Sequence, residues 1–323
     1  MTAAAVNSAV NGSRRPGVVA VHSVDRFVYS VPDLAEAQRF YQHFGLDVRR
    51  DGQRLDLYTF GHPHRWASIF EAGERKQLQY LRYGIFAEDE AVFRQRVADL
   101  GIGIEPHALG DEQGIWLRDV DGVATQLVVA PKVSPSAKTV LAHPDVVPLG
   151  QGAAPCRSQV QPVHPRALSH VLRFSPDVPR MTAFVQDVLG LRLSDKAADV
   201  IAFVHTPHGS DHHLVAFAQS HAPGLHHSSW EVGSIDEVGK GAEQMRNAGW
   251  SEGWGLGRHV LGSNYFNYVR DPWGSFCEYS CDIDFVPADL DWPAADHPME
   301  DSLYVWGPAV PKDFVTNHEQ PAP

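Results

Sequence analysis

The clearest alternation of apolar and polar positions lies between residues 167 and 283. ALSHVLRF (167–174) reads as a strand. Met181, Phe184, Val185, Val188 and Leu189 then recur at i, i+3, i+4, i+7 and i+8, one apolar face of a helix, and Gly190 is placed to end it. VIAFVHT (200–206) and HHLVAFA (212–218) read as short strands. The pattern restarts with strand-like HHSSWEV (226–232), a capping box of Ser234 and Glu237, and a second helical face of Ile235, Val238, Met245 and Ala248. YFNYV (265–269) and FCEYSCDI (276–283) close the segment as strands. The first half has the same rhythm: one helix with Leu34, Ala37, Tyr41 and Phe44, then another with Val92, Phe93, Val97 and Leu100.

The halves also match in detail. SVPDLAEAQRFYQHFGL (30–46) matches SPDVPRMTAFVQDVLGL (175–191) at an offset of 145, and RDVDGVATQL (118–127) matches RDPWGSFCEY (270–279) at an offset of 152. Both ends match in the same order, so two homologous modules are expected. The chain divides into a disordered tail (1–17), a first module (18–131), a linker rich in Pro, Ser, Ala and Gln (132–165), a second module (166–287) and a tail (288–323) lying over the surface of the last module. The predicted class is α+β: four βαβββ units in two modules, each a cupped mixed sheet with flanking helices, each pair of units enclosing a cavity.

Composition narrows the function. Lys plus Arg number 27 and Asp plus Glu 39, a net charge of −12 without a basic run, which disfavours nucleic acid and anionic membranes as partners. No run approaches the ~18 apolar residues of a membrane span. Three cysteines and an N-terminus without an apolar signal stretch fit the cytoplasm. Of 18 histidines, ten fall between His164 and His259.

Three residues of the second module stand out. His170 lies on its first strand, His227 on the strand opening its second half, and Glu278 on its last strand. Two imidazoles and a carboxylate on facing strands are the ingredients of a facial triad, which suits Fe(II), with Mn(II) compatible, and leaves positions open for substrate and O₂. The repeat supplies a control: it puts Asp25 opposite His170, about Tyr80 opposite His227 and Gln126 opposite Glu278, so the first module lacks the set. Adjacent strand residues point to opposite faces, so one of His226/His227 and one of His212/His213 should face the cavity. Periodicity alone does not choose between them.

LSHV around His170, LHHSSWEVGSIDEVG around His227, GRH (257–259) and YVRDPWGSFCEY (268–279) resemble the catalytic module of the type I extradiol ring-cleaving dioxygenases of the vicinal oxygen chelate superfamily. The resemblance spans about 18–287 and includes the two-module architecture with a metal-free first module. It implies His227 and His213 as the functional members of their pairs, His227 as ligand and His213 as acid–base residue. It also implies active-site positions for His259 and Tyr268, which would donate hydrogen bonds to the bound diol or the tetrahedral intermediate. The expected substrates are a catechol-type vicinal diol (or triol) and O₂, giving a ring-opened semialdehyde-type product, and the expected assembly is a homo-oligomer, a tetramer or larger. HHSSWEV departs from the family in its two serines, where bulkier apolar residues are common, implying a more polar or roomier pocket. The alternatives are a glyoxalase-like metal-dependent isomerase and a non-catalytic small-molecule-binding protein. Trp273 and Cys277 are expected in packing roles, and His205, His208, His221, His62 and His64 as exposed loop or surface residues.

Overall fold

The structure, a computed structural model, describes residues 12–142 and 147–319. Most of the expected disordered tail lies outside them. The first half contains strands β1 (Ser23–Val31), β2 (Asp47–Asp51), β3 (Arg54–Tyr58), β4 (Ala67–Glu71), β5 (Gln77–Ile85), β6 (Ile115–Arg118) and β7 (Ala124–Val129), with helices α1 (Leu34–His43) and α2 (Glu90–Leu100). They form one seven-stranded mixed sheet, ordered β2-β3-β4-β1-β5-β7-β6. The second half repeats the plan with β8 (Ala167–Ser175), α3 (Val178–Asp187), β9 (Arg192–Ala197), β10 (Ile201–His205), β11 (Ser210–Asp211), β12 (Val215–Gln219), β13 (Gly224–Glu231), α4 (Ile235–Asn247), β14 (Gly253–His259), β15 (Tyr265–Arg270), β16 (Phe276–Cys281) and β17 (Phe285–Val286). Two tail strands, β18 (Ala295–Asp296) and β19 (Tyr304–Trp306), extend its sheet to ten strands, ordered β18-β9-β10-β12-β8-β13-β16-β15-β14-β19. The tail thus closes both sheet edges and also buries Phe314, Asn317 and Glu319.

Local chemistry sets the helices. Asp33 and Asp177 cap α1 and α3 by accepting backbone N–H groups, and Ser234 accepts from Glu237 at the start of α4. The Glu237 carboxylate accepts from the N–H of Gly233, one residue before the cap. Gly190 adopts φ +73°, and a Cβ there would lie 2.5 Å from the Val19 carbonyl, so the helix exit needs glycine. In α2 only Phe93 and Val97 are buried, while Val92 and Leu100 are 45% and 54% exposed. A short helix buries its narrow i,i+4 stripe and leaves the flanking positions in water. Ile235 of α4 is likewise exposed.

The two sheets share one apolar core. Phe44 stacks on Tyr279 with ring centroids 3.9 Å apart, and the Tyr279 hydroxyl donates to the Phe44 carbonyl. Between the halves, buried Lys76 pairs with Asp271, and Arg173 donates to Asp119 at 2.6 Å.

Hydrogen bonding corrects the repeat register. The capping aspartates stand 177 − 33 = 144 residues apart. Phe27 N–H donates to the Trp66 carbonyl just as Val171 N–H donates to Leu214, again 171 − 27 = 144. The offset becomes 145 only beyond the helix, at Gly45 and Gly190. Arg26, not Asp25, therefore stands where the second half has His170. The slip was invisible in sequence because the extra residue enters at the end of the helix. The parallel ladders pair Arg82 with Gln126 and Ser229 with Glu278, and Tyr80 with Ala124 and His227 with Phe276. Tyr80 and Gln126 thus hold the expected positions.

Candidate metal centre and active site

His170, His227 and Glu278 come from three neighbouring strands, β8, β13 and β16, and are buried. Their donor atoms lie within 4.8 Å of one another. Glu278 Oε2 is 3.3 Å from His170 Nε2 and 3.5 Å from His227 Nε2. Buried polar atoms normally find partners. His227 Nε2 and Glu278 Oε2 have none among the described residues, although both are fully enclosed. Two acceptors left bare and converging are what a cation would satisfy, so the donor set fits a divalent metal with oxygen and nitrogen preference.

The surroundings orient each of these three side chains. His226 Nε2 lies 2.7 Å from the Phe314 carbonyl, which can only accept, so that nitrogen carries the proton. Burial depresses the His226 pKa to about 4, keeping it neutral. Its Nδ1 is then bare and accepts from His227 Nδ1 at 2.6 Å, which leaves His227 Nε2 bare. His170 Nδ1 lies 3.2 Å from the Ser169 hydroxyl, which donates in turn to Asp211. Glu278 Oε1 accepts from Asn264 Nδ2 at 3.1 Å. These contacts fix ring orientation and tautomer, the usual task of groups behind metal ligands.

Only one of the two histidine pairs divides as strand alternation predicts. His226 and His227 both line the cavity, and their rings meet at 4.9 Å. A register irregularity between Leu225 and His227 interrupts strict alternation there. His213 faces the cavity with its ring 4.1 Å from that of His170, while His212 sits behind it, Nδ1 to Nδ1 at 3.1 Å. Burial, reinforced by the neighbouring histidines, holds the His213 pKa well below its usual value, favouring the neutral ring.

His259 Nδ1 donates to the Leu303 carbonyl, leaving Nε2 to accept the Tyr268 hydroxyl at 2.9 Å. Burial, then the nearby Glu278 carboxylate, raises the Tyr268 pKa well above its usual value, so it stays a donor. The six expected site residues thus surround one place. The tail packs over the second module, and its Met299, Leu303, Val310, Pro311, Phe314 and Val315 also line the cavity, whose volume is about 350 Å³. Sequence reading missed these because nothing in a proline-rich tail marks which side chains turn inward. His205 and His208 are buried rather than exposed: His205 contacts the Ser194 hydroxyl, and His208 accepts the Arg15 N–H. His64 is half-buried on Trp66 and bonds to the Asp25 carbonyl, whereas His221 is exposed. Trp273 packs on the core and Cys277 is buried, as expected.

Comparison with known proteins places this arrangement. Residues 167–279 match the Glyoxalase/Bleomycin resistance protein/Dioxygenase superfamily. The chain is 54% identical over 301 residues to metapyrocatechase 2 of Cupriavidus necator, covering 93% of each chain. It is 33% identical over 325 residues to biphenyl-2,3-diol 1,2-dioxygenase of Metapseudomonas furukawaii, covering 94% of this chain and 99% of that relative. Its fold resembles the Mn(II)-bound glyoxalase of Novosphingobium aromaticivorans, with a TM-score of 0.75 at 24% identity over 94% of this chain and 97% of the other. The glyoxalase therefore shares the fold, while the two relatives named above are a metapyrocatechase and a biphenyl-2,3-diol 1,2-dioxygenase. The chain belongs to the two-module extradiol dioxygenases of the glyoxalase/bleomycin resistance protein/dioxygenase superfamily.

Proposed function

We propose that this chain opens the ring of an uncharged catechol bearing apolar substituents, with Fe(II) held by His170, His227 and Glu278. One observation carries the reading: the converging bare donor atoms adjoin a cavity that, Glu278 apart, is lined among the described residues by no lysine, arginine, aspartate or glutamate. Leu172, Ile201, Phe203, Leu261 and Phe314 would enclose an apolar ring, whereas a ring-borne carboxylate would be buried without a counter-charge. Held by His170, His227 and Glu278, a divalent ion would supply Lewis acidity that lowers the pKa of a diol hydroxyl and a common site for diol and O₂.

The protein's own groups divide the remaining work. His213 takes the proton of a diol hydroxyl at Nε2 and later returns it. Tyr268 turns its O–H from His259 toward a substrate oxygen. With its Nδ1 proton committed to Leu303, His259 has none to give the substrate; until substrate binds, its Nε2 holds the Tyr268 hydroxyl in place. The tail wall excludes water from the reacting ring. The cytoplasm suits the three cysteines, none in a disulfide, and we assign a homo-oligomer, tetramer or larger, as the family likeness implies. Sedimentation of the purified protein checks the assembly.

The test is anaerobic loading with Fe(II), followed by O₂ consumption over a panel of catechols. Uptake with a yellow ring-opened product is expected, and kcat/KM should favour alkyl or aryl catechols over carboxylated ones by at least ~10-fold. Full metal content without uptake on any diol would overturn the reading.

A further inference from the structure

The second histidine pair ends differently from the first. Behind His227, the chain of rings stops at a neutral backbone carbonyl. Behind His213 it stops at a carboxylate: His212 Nε2 lies 2.8 Å from Asp195 Oδ2. Both His212 and Asp195 are buried. Asp195 is held in turn by three groups of the C-terminal tail: the Ala295 N–H at 2.9 Å, His297 Nε2 at 3.0 Å and the Trp292 indole at 3.4 Å. Burial alone would raise the Asp195 pKa, but these hydrogen bonds and that from His212 outweigh it and keep the carboxylate ionised.

We propose that Asp195 and His212 are positioning residues that set the tautomer of His213, with the tail completing the device. An ionised carboxylate only accepts, so His212 carries its proton on Nε2. In this chain the His212 Nδ1 accepts from His213 Nδ1, 3.1 Å away. His213 is left with a bare Nε2 toward the cavity, the form that can take a proton from the substrate. No group touching the substrate is added; the order of donors and acceptors along the chain decides which His213 nitrogen is free. The arrangement parallels the aspartate that orients a catalytic imidazole in serine hydrolases, with a second imidazole interposed. It also explains why the tail strand β18 lies parallel to β9 at Asp195: that pairing brings Ala295 and His297 onto the carboxylate.

This inference rests on His213 as the proton acceptor, and the test separates the two. In ¹⁵N-histidine-labelled, metal-free protein, the His213 Nε2 resonance should be that of an unprotonated ring nitrogen at neutral pH. A protonated Nε2 in the native protein overturns the proposal without any activity measurement. Asp195→Asn should reverse the chain, since the new amide can donate to His212 Nε2, and should shift His213 Nε2 to its protonated signal. After Fe(II) loading, this variant should keep full metal content and nearly unchanged KM while kcat falls at least ~100-fold. His212→Gln serves as the second variant should Asp195→Asn fail to fold, with the same kinetic expectation. Unchanged kcat and an unchanged His213 signal in a folded variant would refute the relay. If His213→Ala itself turns over normally, the acid–base assignment fails, while the resonance in the native protein still decides the tautomer.

Discussion

The two halves of the molecule carry the same cup with opposite chemistry. Where the second half has His170, His227 and Glu278, the corrected register puts Arg26, Tyr80 and Gln126 in the first. Extending the register along β4 and β12 puts Arg65 at the place of His213 and His64 at that of His212. Arg82 takes the place of Ser229 and bridges Asp25 and Asp111, each at 2.8 Å. Gln126 binds the same Asp111 at 2.6 Å. The first cup thus holds fixed guanidinium cations paired to carboxylates. The second holds imidazoles and one carboxylate, with two acceptor atoms left bare. A frame of strands does not make a metal site. It provides positions, and the charge carried there decides whether a metal can enter.

The largest expected effect breaks the second cup. Glu278→Gln or His227→Ala should remove metal and turnover together, by several orders of magnitude in kcat, because a buried divalent ion loses an ionic or nitrogen donor. Elemental analysis beside O₂ uptake checks this, and full metal occupancy would refute the ligand assignment.

The first cup should break differently. Arg82→Met strands the buried Asp25 carboxylate, and removing one partner of a buried pair costs about 3–5 kcal/mol. Urea unfolding should show that loss while the folded fraction keeps its metal. Loss of metal in folded protein would mean that the cups are not chemically independent.

A third prediction concerns the seam. Glu319 accepts from Leu78 N–H and Leu225 N–H, which hold equivalent positions in the two halves. Burial raises its pKa from 4.5 to about 7, against the pull of those two bonds. The folded state therefore binds the proton more tightly than the unfolded chain. The stabilisation contributed by Glu319 should be fully present below about pH 4.5 and be lost as pH rises to about 7, by at most about 3 kcal/mol. Glu319→Gln should flatten that slope, measured by urea titration across the window.

The smallest effect sharpens the comparison. The triple variant Arg26→His, Tyr80→His, Gln126→Glu restores the ligand types in the first cup, but Arg65 and Arg82 remain. We expect metal content to stay at that of the native chain. A second bound metal would show that donors alone suffice.

Much of this was legible in the chain because it depends on local rules. Helical spacing exposed the faces of α1, α3 and α4, and repeated motifs exposed the two modules. The convergence of His170, His227 and Glu278 followed from their places on symmetry-related strands. The one-residue slip from Arg26 to Asp25 shows the limit of such reasoning. Sequence similarity places an insertion only within a segment, while hydrogen bonds place it at a residue.

The sequence by itself determined the two-module plan, the convergent His170, His227 and Glu278, and the absence of that set from the first half. Only the tertiary structure decided which nitrogen of each histidine is free, that Asp195 stands behind His212, and that the tail turns inward over the cavity. Periodicity reports which face a residue occupies within its own element. Tautomers, buried charge pairs and cavity walls arise where separate elements meet, at distances along the chain that no local pattern records.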